Sequence, residues 1–206
     1  MSNNLKKTSG QHQKKPTGRA GFTLVELLVT MGIFLTVTFL AGDYLISGFK
    51  YTTFSDEQET AIRNARQAVE IMSKEIRGAN KSENGSYPLS VINDQELEYY
   101  ADLDNDEKME KIRYAISGSD LIKTVTPPGP ANDYSGVPRA ETIAHFVNNQ
   151  TEPLFHYYDQ DNAETDLVNT VRLINITIKI NVTPERAPAD YYVETDVSLR
   201  NLKSNL

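Results

Sequence analysis

The stretch FTLVELLVTMGIFLTVTFLAGDYLISGF, residues 22–49, decides how the rest of the chain is read. Its only charged members are Glu26 and Asp43. A membrane-spanning helix needs about 20 predominantly apolar residues, and at about 1.5 Å per residue this segment reaches roughly 42 Å, beyond the ~30 Å core of a bilayer. We therefore expect residues 22–49 to form a transmembrane helix. A secretory signal peptide has an apolar core of about 7–15 residues closed by small residues in an A-x-A arrangement. Here the run continues past Ala41-Gly42 without that pattern.

On the N-terminal side, residues 1–21 carry Lys6, Lys7, Lys14, Lys15 and Arg19 and no acidic side chain. The whole chain of 206 residues has 21 basic and 28 acidic residues, net −7. Taking those five cations away leaves 16 basic against 28 acidic, a net charge of −12 for residues 22–206. Basic residues before the span and Asp43, Asp56 and Glu57 after it predict a single-pass protein in the cytoplasmic membrane, N-terminus inside and acidic bulk outside. The chain has no cysteine, which excludes a disulfide framework, a thiolate metal site and thiol catalysis. Its three histidines leave little material for a zinc site or a serine–histidine relay, and no nucleophile–base pair or phosphate loop stands out, so no enzyme activity is expected. The acidic balance argues against nucleic acid as a partner.

Glu26 lies four residues after the start of the apolar run. A carboxylate inside a spanning helix costs about 2.5–3.5 kcal/mol on insertion scales and implies a partner. A cut after Gly21 would create an α-amino cation on Phe22, one helical turn from Glu26, able to pair with that carboxylate in a staggered neighbouring subunit. Ala20-Gly21-Phe22-Thr23-Leu24-Val25-Glu26, followed by the uncharged residues 27–40, resembles the cleavage and methylation signature of type IV prepilins and pseudopilins. The resemblance implies cleavage between Gly21 and Phe22 by a membrane prepilin peptidase, N-methylation of Phe22 by the same peptidase/methyltransferase, and a role for Glu26 in methylation or filament assembly. Residues 1–21 would then be a cleaved basic leader, and the mature chain would assemble with other pilins or pseudopilins into a pilus or pseudopilus.

Residues 51–77 contain no proline and repeat at helical spacing, with Phe54, Ala61, Ala65, Ala68, Val69, Met72 and Ile76 on one face. Glu59/Arg63, Arg66/Glu70 and Glu70/Lys74 are expected i,i+4 pairs. Gly78-Ala79-Asn80 ends this amphipathic helix, assigned to residues 50–80. The head, residues 81–206, reads as β structure, with strands expected over 89–92, 97–101, 111–117, 121–126, 142–147, 154–158, 171–182 and 191–202. Residues 127–138 hold four prolines and two glycines and form a surface loop. The fold class is thus α+β, a long helix packed on an antiparallel sheet, which is the pilin-like arrangement the resemblance implies. The order of elements, the Tyr-Tyr-x-Asp-x-Asp-x-Asp hairpin starting at Tyr99 and the final Val197-Ser198-Leu199-Arg200-Asn201 resemble minor pilins and the J-type minor pseudopilins of type II secretion. A membrane-anchored binding protein, with a head recognising a secreted substrate, a surface or DNA, is the alternative.

Asp102, Asp104 and Asp106 alternate oxygen ligands in a tight loop, a pattern that suits calcium. Glu107 and Arg113 occupy the positions where an EF-hand wants glycine and glutamate, so the standard hand is excluded. Turn formation by aspartate accounts for the same residues. The doublets Tyr99-Tyr100, Tyr157-Tyr158 and Tyr191-Tyr192 are expected to send one ring into the core and one to solvent, with too few basic neighbours for a nucleic-acid stacking surface. His145 and His156 are read as ordinary strand residues.

Overall fold

The computed structural model describes residues 21–182 and 190–199. Residues 1–20 of the expected leader, and 200–202 of the last expected strand, lie outside them. Two compact units divide the chain, Met1–Phe49 and Lys50–Leu206. One helix, α1 at Leu24–Arg77, contributes to both. In the first unit the apolar side chains of α1 are exposed, Leu24 at 77%, Phe34 at 70% and Phe39 at 77% among them. This helix is long and apolar enough to cross a membrane. Among the described residues nothing covers that surface, which suits lipid or other apolar helices.

In the second unit α1 lays down a different face. Ala61, Ala65, Ala68, Val69, Met72, Ser73 and Ile76 are buried, following the expected stripe with Ser73 added, while Phe54 is only half-buried. Three alanines in the upper turns let the helix axis come close, and Met72 and Ile76 fill the space lower down. Six buried hydrophobic positions from Ala61 to Ile76 make a broad enough face to hold a helix by packing rather than by propensity. Gly78 ends it, as its amide reaches back to the Glu75 carbonyl.

The strands are β1 Leu89–Asn93, β2 Glu96–Ala101, β3 Glu110–Ser117, β4 Asp120–Thr126, β5 Arg139–Ala144, β6 Phe155–Tyr158, β7 Leu173–Ile180 and β8 Tyr191–Ser198. They form a five-stranded antiparallel meander, β1-β2-β3-β4-β5, and a three-stranded antiparallel sheet, β6-β7-β8. Each expected strand has its counterpart, but the expectation of one sheet gives way to two. The divide falls where Phe146 adopts a left-handed φ of 60°, a conformation a bulky residue resists. That turn takes the chain from pairing with β4 to Val147, which bridges Ile180 of β7. It also explains why β5 spans 139–144 rather than 142–147: pairing starts directly after Pro138 and cannot survive Phe146.

The two sheets share a hub. The Asp94 carbonyl in the β1–β2 turn accepts the amides of Leu154 and Phe155, and the buried Tyr157 hydroxyl donates to the Asn93 and Glu96 carbonyls. Burial pushes the Tyr157 phenol well above its ordinary pKa. Asn149, fully buried, donates to the Pro153 and Thr177 carbonyls and accepts the Lys179 amide. Buried polar groups must be matched, and Tyr157 and Asn149 are.

Period-two alternation puts Leu121 and Lys123 of β4 on the core face, so a lysine points where an apolar side chain is expected. Lys123 is opposite Tyr114 of β3, which is opposite Leu97 of β2, two residues from Tyr99. Glu75 of α1 answers all three: Lys123 Nζ lies 2.7 Å from its Oε1, the Tyr114 hydroxyl donates to its Oε2, and the Tyr99 hydroxyl is 3.5 Å from the same oxygen. Burial, chiefly, raises the pKa of both phenols well above the usual tyrosine value, and the Glu75 charge adds to it. Both therefore stay protonated as donors. Replacing Glu75 with leucine leaves two hydroxyls without their acceptor and a buried cation with only the more distant Glu141, at 3.7 Å, a loss of roughly 3 kcal/mol. The measurement is urea denaturation of the full chain, in which the Glu75→Leu, Lys123→Met double variant should regain much of that loss.

Candidate functional site

The N-terminal site is built around the start of α1. Thr23 is its N-cap: Oγ1 accepts the Glu26 amide at 3.2 Å and the Thr23 carbonyl accepts the Leu27 amide. Thr23-x-x-Glu26 is the capping-box spacing, a signal of the helix start that the sequence itself carries. Gly21 and Phe22 therefore lie outside the helix in exposed, non-helical chain. A peptidase needs an accessible peptide outside regular structure, and the exposed bond between them meets that condition. Glu26 sits in the first turn, where the unpaired amides of the helix give a partial positive charge that favours a carboxylate. A cation placed on Phe22 would meet the same positive helix end, so a carboxylate one turn away offsets a repulsion that cleavage would introduce. Thr30 and Thr36 return their hydroxyls to carbonyls one turn back, which keeps both polar side chains satisfied on an apolar helix.

The second candidate lies between β2 and β3. Oxygens of Asp102, Asp104 and Asp106 come within 4.8 Å of one another. Asp102 accepts the amides of Asp106 and Glu107, Asp104 accepts the Asp106 amide, and Asp106 accepts the Lys108 amide. These bonds hold Asn105 and Glu107 in left-handed conformations, with φ of 59° and 67°. Glu110, not singled out from the sequence, closes the loop by accepting the Leu103 amide at 2.9 Å. Burial raises its carboxyl pKa, and the charges of Asp104 and Asp106 raise it further. The arrangement offers hard oxygen ligands to a cation, and it also does the work of a turn without one.

Elsewhere the structure redistributes the polar residues. Tyr99 and Tyr100 are both buried, contrary to the expected in-and-out doublet, because the proline-rich loop folds back and sets Tyr134 on Tyr100 at 4.9 Å between ring centroids. That loop closes tightly at Gly136, where a Cβ would come within 2.8 Å of the Pro127 carbonyl. Tyr157 is buried with Tyr158 half-buried, and Tyr192 is exposed beside half-buried Tyr191. Glu59 and Arg63 pair at 3.6 Å. The expected Arg66/Glu70 and Glu70/Lys74 pairs are absent from the ion pairs of the described residues. Arg66 instead donates to the Tyr191 hydroxyl and lies over its ring, tying α1 to β8. His145 and His156 bond Asp120 and Glu164 at 2.8 and 2.9 Å. Lys179, held by Glu152 at 2.6 Å and Asp190 at 3.0 Å, is raised in pKa by those two bonds.

Residues 17–42 match the family model of the prokaryotic N-terminal methylation motif, which covers the candidate cleavage point, Glu26 and the first part of the apolar helix. No curated protein matches the chain.

The aspartate turn has a direct test. Asp102→Ala removes two charge-assisted acceptors at an exposed loop and should lower stability by about 1 kcal/mol. The fall in melting temperature is expected to be the same with chelator as with millimolar calcium; a loss seen only with calcium would assign the carboxylates to a cation.

Proposed function

We propose that this chain is a minor subunit of a type IV pilus or type II secretion-like filament, made as a membrane-inserted precursor, cut between Gly21 and Phe22, N-methylated on Phe22 and assembled through the N-terminal half of α1. The methylation motif over residues 17–42 supports the coarser part of this reading, a pilin-like precursor handled by a prepilin peptidase. The observation that carries it is the coincidence of that motif with an N-cap at Thr23, two residues past the cut, and a helix whose apolar side chains are exposed from its first turn. Leu27, Leu28, Phe34, Leu35 and Phe39 are exposed and able to exchange lipid for the apolar helices of other subunits. That exchange costs little because both surroundings are apolar, so polar contacts decide the register. Glu26 is the group for that role, paired with the Phe22 amine of a neighbour. The minor-subunit assignment rests on a cysteine-free head with eight strands among the described residues and on the resemblance of its order of elements to minor pilins.

Intact-mass analysis of membrane-extracted protein made together with the peptidase tests the processing. The expected species begins at Phe22 and carries one added methyl group. A chain still beginning at Met1 under those conditions would sink the reading and favour an ordinary membrane anchor with a binding head. For assembly, Glu26→Ala should insert normally but co-purify with other pilin-like subunits at least about tenfold less, the factor that ~1.4 kcal/mol of lost pairing represents. Normal incorporation of that variant would remove Glu26 from assembly.

A further inference from the structure

The loop between α1 and β1 holds Asn84-Gly85, the only asparagine–glycine step in the 206 residues. Asn84, Gly85 and Ser86 are all exposed. Gly85 has a left-handed φ of 84°, and nothing lies within 4 Å of the place a Cβ would occupy, so the backbone there has room to rearrange. The Asn84 side-chain oxygen accepts three hydrogen bonds: from the Ser82 hydroxyl at 2.6 Å, the Ser86 hydroxyl at 2.6 Å and the Ser86 amide at 3.1 Å. Three donors on one amide oxygen draw electron density from its carbon. They also stand where negative charge would develop if a nucleophile added to that carbon, as the donors of an oxyanion hole do.

We propose that Asn84-Gly85 is a self-modifying site, at which the Gly85 backbone nitrogen attacks the Asn84 side-chain carbonyl carbon. The Gly85 nitrogen loses its proton to solvent as the new carbon–nitrogen bond forms. The bond from that carbon to the side-chain nitrogen breaks, and ammonia leaves with a proton from solvent. The resulting five-membered imide is opened by water at either of its carbonyls, giving aspartate or isoaspartate. One water is consumed, one ammonia is released and nothing is oxidised. In the folded loop the Gly85 amide donates to the Ser82 carbonyl at 2.9 Å, so reaction proceeds from the state in which that turn bond has opened, a low-energy event in an exposed loop. Other asparagines lack the combination: Asn149 and Asn175 are buried and are followed by Gln150 and Ile176.

The consequence reaches beyond the turn through Glu83, the preceding residue. Its amide donates to the Tyr134 hydroxyl at 3.2 Å and its carboxylate accepts the Met109 amide at 2.8 Å. It therefore joins the 80–88 loop to the aspartate turn and to the proline-rich loop. Isoaspartate adds a methylene to the main chain and a charge beside this junction, loosening all three loops. The site acts as a slow clock on the head, independent of what the chain assembles into.

The test is peptide mapping of full-length, membrane-extracted protein kept at physiological temperature and neutral pH for days to weeks, with fragmentation that separates isoaspartate from aspartate. A one-dalton gain confined to the Asn84 peptide, mostly isoaspartate, is expected, with a lower melting temperature for the aged protein. Ser86→Ala keeps the Gly85 conformation and should slow the gain severalfold by removing one donor. No gain at Asn84, equal gain across several asparagines, or a faster gain in Ser86→Ala would each overturn the proposal.

Discussion

The contact on which the second unit depends is the Glu75 carboxylate beneath α1. Hydrophobic burial brings a helix and a sheet together, but it is non-directional and leaves the helix free to slide or rotate on the sheet. Glu75 removes that freedom, because one carboxylate must meet Lys123 of β4, Tyr114 of β3 and Tyr99 of β2 together. A helix displaced by one residue would take the nearer carboxylate from a buried lysine and leave it Glu141 of β5 alone, at 3.7 Å. The alanines at 61, 65 and 68 permit the close approach that lets a short glutamate side chain reach the strands. Arg66 adds a second tie, to Tyr191 of β8 in the smaller sheet. Packing thus supplies the attraction, and a few polar groups fix the placement.

The same helix serves opposite ends in its two halves, and the difference lies in composition. From Ala61 on its apolar residues are buried or half-buried; before Lys50 they surround the helix and stay exposed. A helix that is apolar all round has no internal partner to choose, so it is held by its environment. Its N-terminus concentrates the polar information: Thr23 caps, Glu26 faces the positive helix end, and Gly21-Phe22 remain outside the helix.

Much of this was legible along the chain. Runs of strand-favouring residues, several of them alternating with period two, marked the strands, and Gly78 marked the helix end, which falls at Arg77. The apolar stripe from Ala61 to Ile76 was visible because 3.6-residue spacing depends on local order alone. What the pattern did not carry were contacts made across long separations. Tyr100 is buried only because Tyr134, 34 positions on in the numbering, covers it. The i,i+4 pairing expected of Arg66 lost to a tyrosine on the last strand, since an exposed helix pair is worth only about 0.2–0.5 kcal/mol. The split into two sheets turned on the φ of one residue, Phe146, whose sequence neighbourhood reads as continuous strand.

By itself, then, the sequence determined the apolar helix, its basic approach, the methylation motif, the elements of the head and the order in which they occur. These follow from local spacing, charge and the steric demands of glycine and proline, which act between residues near one another in the chain. The tertiary structure alone decided which strands share a sheet, why a lysine stands on a core face, and that Glu83 and Glu75 each hold distant segments together. Those outcomes rest on desolvated charges and hydrogen bonds whose partners are far apart in sequence and become neighbours only when the core closes.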